Sequence, residues 1–167
     1  MHITMYTDGS AMGNPGPGGY GVVLMAGQYR KELSQGYRLT TNNRMELMAV
    51  IVGLEALKIP QSTVTIYTDS QYVVNAVEQR WVFGWEKKNF AGKKNADLWQ
   101  RFLKAYRCHS VAVKWVKSHA GNIENERCDQ LAAAAAKSPQ LLEDTEYEFQ
   151  SIKINNEHDR SSNLFNG

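Results

Sequence analysis

Two short segments of this chain nearly repeat each other: Met5-Tyr6-Thr7-Asp8-Gly9-Ser10 and Ile66-Tyr67-Thr68-Asp69-Ser70-Gln71. Each is a strand-like run that ends on an aspartate. In open α/β sheets, ligand sites form beyond the carboxyl ends of parallel strands. If these two strands are parallel neighbours, Asp8 and Asp69 emerge side by side. Carboxylates that close repel each other unless they are protonated or bridged by a cation. At neutral pH a divalent metal ion is the more productive answer.

Two further acids are candidates for the same cluster. Glu46 falls in the first turn of a predicted helix, and Asp129 lies in Asn125-Glu126-Arg127-Cys128-Asp129, within a helix rich in alanine. His119 follows a predicted strand in the Gly-bearing stretch Lys117-Ser118-His119-Ala120-Gly121-Asn122. Each has a simpler explanation on its own. Asp8 fits a turn before Gly9, Asp69 a helix N-cap, and Glu46 a capping box with Asn43. Asp129 fits a solvated helical charge, and His119 a surface loop. Only their joint arrangement is specific.

The elements that must position them follow from periodicity. Strands are predicted over about 2–8, 19–26 and 30–39, with the Gly- and Pro-rich run 13–19 as a loop and Gly27-Gln28 as a hairpin turn. A helix over about 43–58 carries Leu47, Ile51 and Leu54 at helical spacing and stops at Pro60. A fourth strand covers 63–68, a fifth 111–116, and helices cover about 70–80, 95–107 and 123–137. A Lys- and Trp-rich connector joins the helices at 70–80 and 95–107. Early hairpins imply antiparallel pairing, and later strands separated by helices imply parallel additions. The expected fold is α/β: a five-stranded mixed sheet, three antiparallel strands and then two parallel ones, flanked by helices.

At 167 residues, with 43% hydrophobic and 22% charged side chains, the chain suits one domain with a full core, about 1–150. No apolar run could span a bilayer, and the start of the chain lacks the pattern of a signal peptide, so a cytoplasmic location is expected. Cys108 and Cys128 match no metal or redox spacing. Residues 1–137 hold 17 basic and 11 acidic side chains, whereas 138–167 hold 2 and 6. A basic body followed by an acidic extension suits a polyanion-binding domain. The polar tail 151–167 is expected to be disordered.

Taken together, these motifs closely resemble bacterial-type ribonuclease HI. The resemblance is carried by the two Thr-Asp segments, the run Gly13-Asn14-Pro15-Gly16-Pro17-Gly18-Gly19-Tyr20-Gly21, Thr40-Thr41-Asn42-Asn43-Arg44-Met45-Glu46-Leu47, Asp97-Leu98-Trp99, and the stretch from Val116 to Asp129. They occur in family order from about 8 to 137. The family implied is one of metal-dependent endonucleases that cut the RNA strand of RNA–DNA hybrids. By resemblance, Asp8, Glu46, Asp69 and Asp129 match the metal-binding carboxylates. Asp8 would bridge two ions, with Asp129 completing one site and Glu46 and Asp69 the other.

His119 matches a mobile-loop histidine that assists proton transfer or product departure. Asn14, Asn42, Asn43 and Gln71 match residues lining the minor groove, and Thr41 one that holds a DNA-strand phosphate. Trp81, Trp85, Lys87, Lys88, Lys93 and Lys94 match a protruding basic handle, about 81–95, that grips the DNA strand. Three departures stand out. The handle is several residues short between Trp85 and Asp97, Ser118 replaces a usual glycine, and the chain beyond about 150 has no family counterpart.

The implied chemistry suits the residue types. Two Mg²⁺ ions roughly 4 Å apart can activate water and steady the leaving 3′-oxygen, giving 5′-phosphate and 3′-hydroxyl ends. An all-oxygen cluster fits Mg²⁺, with Mn²⁺ as a substitute, and argues against zinc. Asn and Gln side chains can meet both hydrogen-bonding roles of a ribose 2′-OH. The expected partner is an RNA–DNA hybrid, with no membrane and no obligate protein partner, acting as a monomer. The alternatives are a strand-transfer enzyme or other nuclease of the same fold, and an inert hybrid-binding module. Cutting of duplex DNA would favour the first, and binding without metal-dependent cutting the second.

Overall fold

The computed structural model describes residues 1–164. Its order is β1 (His2–Ala11), β2 (Gly16–Ala26), β3 (Tyr29–Thr40), α1 (Asn42–Glu55), β4 (Thr63–Thr68), α2 (Gln71–Glu78), α3 (Trp81–Lys87), α4 (Ala96–Tyr106), β5 (Ser110–Trp115), α5 (Ile123–Ala136) and α6 (Thr145–Leu164). The strands form one sheet in the order β3-β2-β1-β4-β5. β1 pairs antiparallel with β2 and parallel with β4, so three antiparallel strands are extended by two parallel ones, as expected.

Alternation decides which side chains enter the core. Ile3 and Met5 of β1, and Val64 and Ile66 of β4, are buried, while α1 contributes Met45, Leu47, Met48, Ile51 and Leu54. Gly53 lets α1 lie directly on Met5 and Val22. On β2, Gly19 and Gly21 sit beneath α5, where a methyl group would overlap the helix backbone at Ala132 and Cys128. Val22 and Gly21 are successive residues of one strand, so their side chains point to opposite faces. The helices α1 and α5 therefore cover opposite faces of the sheet.

Several boundaries differ from expectation. β1 continues past Asp8 to Ala11, because Ser10 and Ala11 still pair with Gly19 and Gly18. β2 begins at Gly16, inside the run expected to be wholly loop, because Gly16 already pairs with Thr40 of β3. The Trp-rich connector contains the two-turn helix α3.

The largest correction concerns the tail. Residues 151 onward, expected to be disordered on composition, continue α6 as far as Leu164; 165–167 lie outside the described residues. The helix starts at a fixed point, since Asp144 is buried against Arg44 of α1 and Thr40 of β3. Arg38 holds both Glu143 and Glu148. Glu146 and Glu148 in the first turn also complement the helix dipole. These anchors come from distant parts of the chain, which a local composition reading does not weigh.

Candidate active site

The parallel pairing of β1 with β4 brings Tyr6 opposite Tyr67 and Thr7 opposite Thr68. The next residue in each segment is an aspartate, Asp8 still within β1 and Asp69 just past the end of β4, so the two lie side by side. Glu46 arrives from α1 by close approach. A methyl group at Gly9 would overlap the backbone of Met45 and Glu46, so only glycine lets the first turn of α1 rest on β1 there. Asp8, Glu46 and Asp69 each place a carboxylate oxygen within 4.8 Å of the others. Asp129 comes from the opposite face on α5, whose register is set by Gly21 and by Cys128, which donates to the Tyr6 carbonyl. Its charge acts on Asp8, although it is not one of the three acids whose oxygens all lie within 4.8 Å of one another.

The simpler roles weighed for these acids are filled by their neighbours. Thr41, not Asn43, caps α1, accepting from Arg44 N at 3.2 Å. Ser70, not Asp69, caps α2, accepting from Val73 N at 3.2 Å. Asp8 sits within a continuing strand and accepts from Gly9 N at 2.9 Å. The carboxylates are thus released from structural duty.

Their electrostatics are unfavourable without a cation. Burial, then the charges of Asp69 and Asp129, push the Asp8 carboxyl up to about 8. Burial, then the charges of Asp8 and Asp69, raise the Glu46 carboxyl well above its ordinary range. Glu46 Oε2 is buried with no hydrogen-bond partner. An enclosed carboxylate oxygen without a donor, next to two other carboxylates, fits a divalent cation.

The other predicted residues distribute around this cluster. Asn42 Oδ1 accepts from Ala11 N at 2.6 Å, and Asn14 Oδ1 accepts from Asn42 N at 3.0 Å. Both carbonyl oxygens are thus engaged by backbone N–H groups. Asn43 and Gln71 are exposed. His119 is exposed and lies outside the carboxylate cluster, in the loop between β5 and α5, with a left-handed backbone at φ 55°. That loop is held to the site at its start, where Val116 N donates to Thr68 O at 2.9 Å.

The two handle tryptophans divide their roles. Trp81 is exposed, whereas Trp85 packs edge-on against the core residue Trp99 and carries Lys93 Nζ 5.1 Å from its ring centre. Lys87, Lys88, Lys93 and Lys94 are all exposed. Trp81, Trp85, Lys88 and Lys93 border one shallow recess.

Sequence reasoning missed the assembly that fixes the first turn of α1. Arg44 is fully buried, and Asp97 and Asp144 each bind its guanidinium through two hydrogen bonds of 2.7 to 2.9 Å. Burial pushes the Asp97 carboxyl up, but Arg44 outweighs it and holds the group below its usual range. The only local hint was a charged residue set among apolar ones in Arg44-Met45-Glu46-Leu47. Nothing near Asp144 signalled its partner.

The sheet order and the acidic cluster define an α/β domain built to handle divalent cations at the carboxyl ends of its parallel strands. The RNase H family profile matches residues 1–137. The chain belongs to the RNase H family.

Its relatives include the ribonuclease H of Desulforamulus reducens, 60% identical over 144 residues, covering 83% of this chain and 90% of that one. The ribonuclease HI of Vibrio vulnificus is 55% identical over 151 residues, covering 87% and 96%. Among solved structures, LC9-RNase H1, a type 1 RNase H, superposes with a TM-score of 0.74 at 32% identity, over 89% of this chain and 80% of that one. LC11-RNase H1, solved in complex with an RNA/DNA hybrid, gives 0.62 at 26% identity, over 81% and 96%. Among the described residues no helix is long and apolar enough to cross a membrane.

Proposed function

We propose that this chain hydrolyses the RNA strand of RNA–DNA hybrids, with Asp8, Glu46, Asp69 and Asp129 holding the divalent cations that the reaction requires. The observation that carries this reading is the convergence of Asp8, Glu46 and Asp69 within 4.8 Å, from a family whose members are named ribonuclease H. The physiological ion is Mg²⁺, with Mn²⁺ able to substitute, since all the donors are carboxylates. When bound, two such ions supply an activated water and a stabilised 3′-oxygen leaving group, leaving 5′-phosphate and 3′-hydroxyl ends.

The remaining work belongs to the chain itself. Asn14 and Asn42 present amide N–H groups to the minor groove because their carbonyl oxygens are already occupied. With Asn43 and Gln71 they read the ribose hydroxyls that distinguish RNA from DNA. The Thr41 oxygen accepts from Arg44 N, which leaves its hydroxyl hydrogen free for a DNA-strand phosphate. Trp81 and Trp85, with Lys87, Lys88, Lys93 and Lys94, grip the same strand further along. His119, on its exposed loop, moves a proton or assists departure of the product.

Residues 1–150 form the catalytic domain, and 151–167 are an addition to it. The protein acts as a cytoplasmic monomer. A strand-labelled hybrid tests the reading, with duplex DNA and duplex RNA as controls. RNA-strand cleavage with Mg²⁺, abolished by EDTA, is expected. Cleavage of duplex DNA, or binding without cleavage, would overturn it.

A further inference from the structure

The acidic helix α6 does not project idly from the domain. Its first half forms one wall of a groove of about 670 Å³, whose opposite wall includes Asn14, Thr41 and Asn43. Lys93 and Lys94, at the end of the handle, close the groove. Neither lysine forms an ion pair among the described residues. The groove therefore offers two uncompensated cations and several neutral hydrogen-bonding groups.

The side that α6 turns toward this groove is chemically selected. Tyr147, Gln150, Ser151 and Ile154 line it, at positions i, i+3, i+4 and i+7, which share one helical face. All four are neutral. The two acids nearest this face are already engaged by side chains. Glu148 pairs with Arg38, and Glu146 accepts from Gln150 Nε2 at 3.0 Å. Neither lines the groove, and among the described residues no carboxylate does. A segment rich in acids thus lies alongside a cationic groove whose described lining holds no carboxylate. That separation suits a polyanion lying between the two walls.

We propose that α6 is a second wall of the nucleic-acid channel, with Gln150, Ser151 and Ile154 lying against the sugar–phosphate backbone of the strand that is not cut. The inference rests on the hybrid reading above, which places that strand at Thr41 and the handle. It assigns the segment after about 150 a substrate-positioning role. Gln150 and Ser151 supply hydrogen-bonding groups to phosphate oxygens, and Ile154 supplies an apolar surface to a sugar.

The test uses the full chain and two exposed positions. Gln150→Glu with Ile154→Glu puts two negative charges into the groove, and Gln150→Lys with Ile154→Lys puts two positive ones there. On a long hybrid, the acidic pair should raise KM by about tenfold with kcat within about twofold, and the basic pair should lower KM and steepen its salt dependence. Ile152→Glu, on an exposed residue outside the groove, should change KM by less than about twofold. Parent-like KM for both pairs on long hybrids, while the parent still cuts, would overturn the α6 assignment and leave the hydrolase reading standing. Failure of the parent itself to cut would instead remove the reading on which α6 depends.

Discussion

Arg44 and Asp144, one hundred residues apart in sequence, meet in a two-pronged pair, Nε to Oδ2 at 2.7 Å and Nη2 to Oδ1 at 2.8 Å, with both side chains almost sealed from water. Asp97 takes the other side of the same guanidinium. Arg44 lies two residues from Glu46, so this assembly sets where the first turn of α1 sits and where α6 begins.

Removing one partner of a buried pair leaves a charge without compensation, which costs more than the intact pair contributes. Asp144→Ala should destabilise the protein by about 3 kcal/mol in urea unfolding. A loss of under about 1 kcal/mol would show that Asp97 and solvent can replace Asp144.

The Asp8 carboxyl links stability to pH. Its folded-state value, about 8, exceeds its ordinary 3.8, so the folded chain holds this proton longer than the unfolded one. Its contribution to metal-free stability is therefore greatest below about pH 4 and declines as pH rises toward 8. In EDTA, Asp8→Asn should flatten that decline and raise Tm at pH 8, while abolishing cleavage in Mg²⁺. Adding Mg²⁺ to the parent should raise Tm more at pH 8 than at pH 6, because the ion displaces the proton. Equal Mg²⁺ shifts at both values would contradict the crowded-carboxylate picture.

Gly9 is the contact through which α1 meets β1. Gly9→Ala places a methyl group into the Met45–Glu46 backbone, so the helix must lift. A stability loss of about 3 kcal/mol is expected, typical of overpacking at a backbone contact. Cleavage should fall more than hundredfold even when measured on fully folded protein, because Glu46 moves with its helix. Parent-like activity at low temperature would show that the site tolerates such a shift.

The handle lysines should act through charge. Replacing Lys87, Lys88, Lys93 and Lys94 together with alanine should raise KM and reduce the magnitude of the log KM against log salt slope by up to about 3.6, with little effect on kcat. Lys93 lies over Trp85, so Lys93→Ala alone should also lower the stability of the handle slightly. An unchanged salt slope for the fourfold variant would remove these lysines from the substrate path.

What could be learned from local sequence was considerable. The alternation in Thr63–Thr68 and the spacing of Leu47, Ile51 and Leu54 declare a strand and a helix, because periodicity is a property of neighbouring residues. The repeated Thr-Asp endings at Asp8 and Asp69 announced a shared site, since parallel pairing carries equivalent positions to one edge. Tertiary structure alone decided the rest. Asp8 is pushed up to about 8 by burial and by charges 61 and 121 positions further along. Thr41 and Ser70, rather than the nearby acids, close the helix ends. The tail became a helix through Arg44 and Arg38, partners about a hundred residues upstream. Burial, charge crowding and buried ion pairs depend on which distant segments meet, and no local window contains that information.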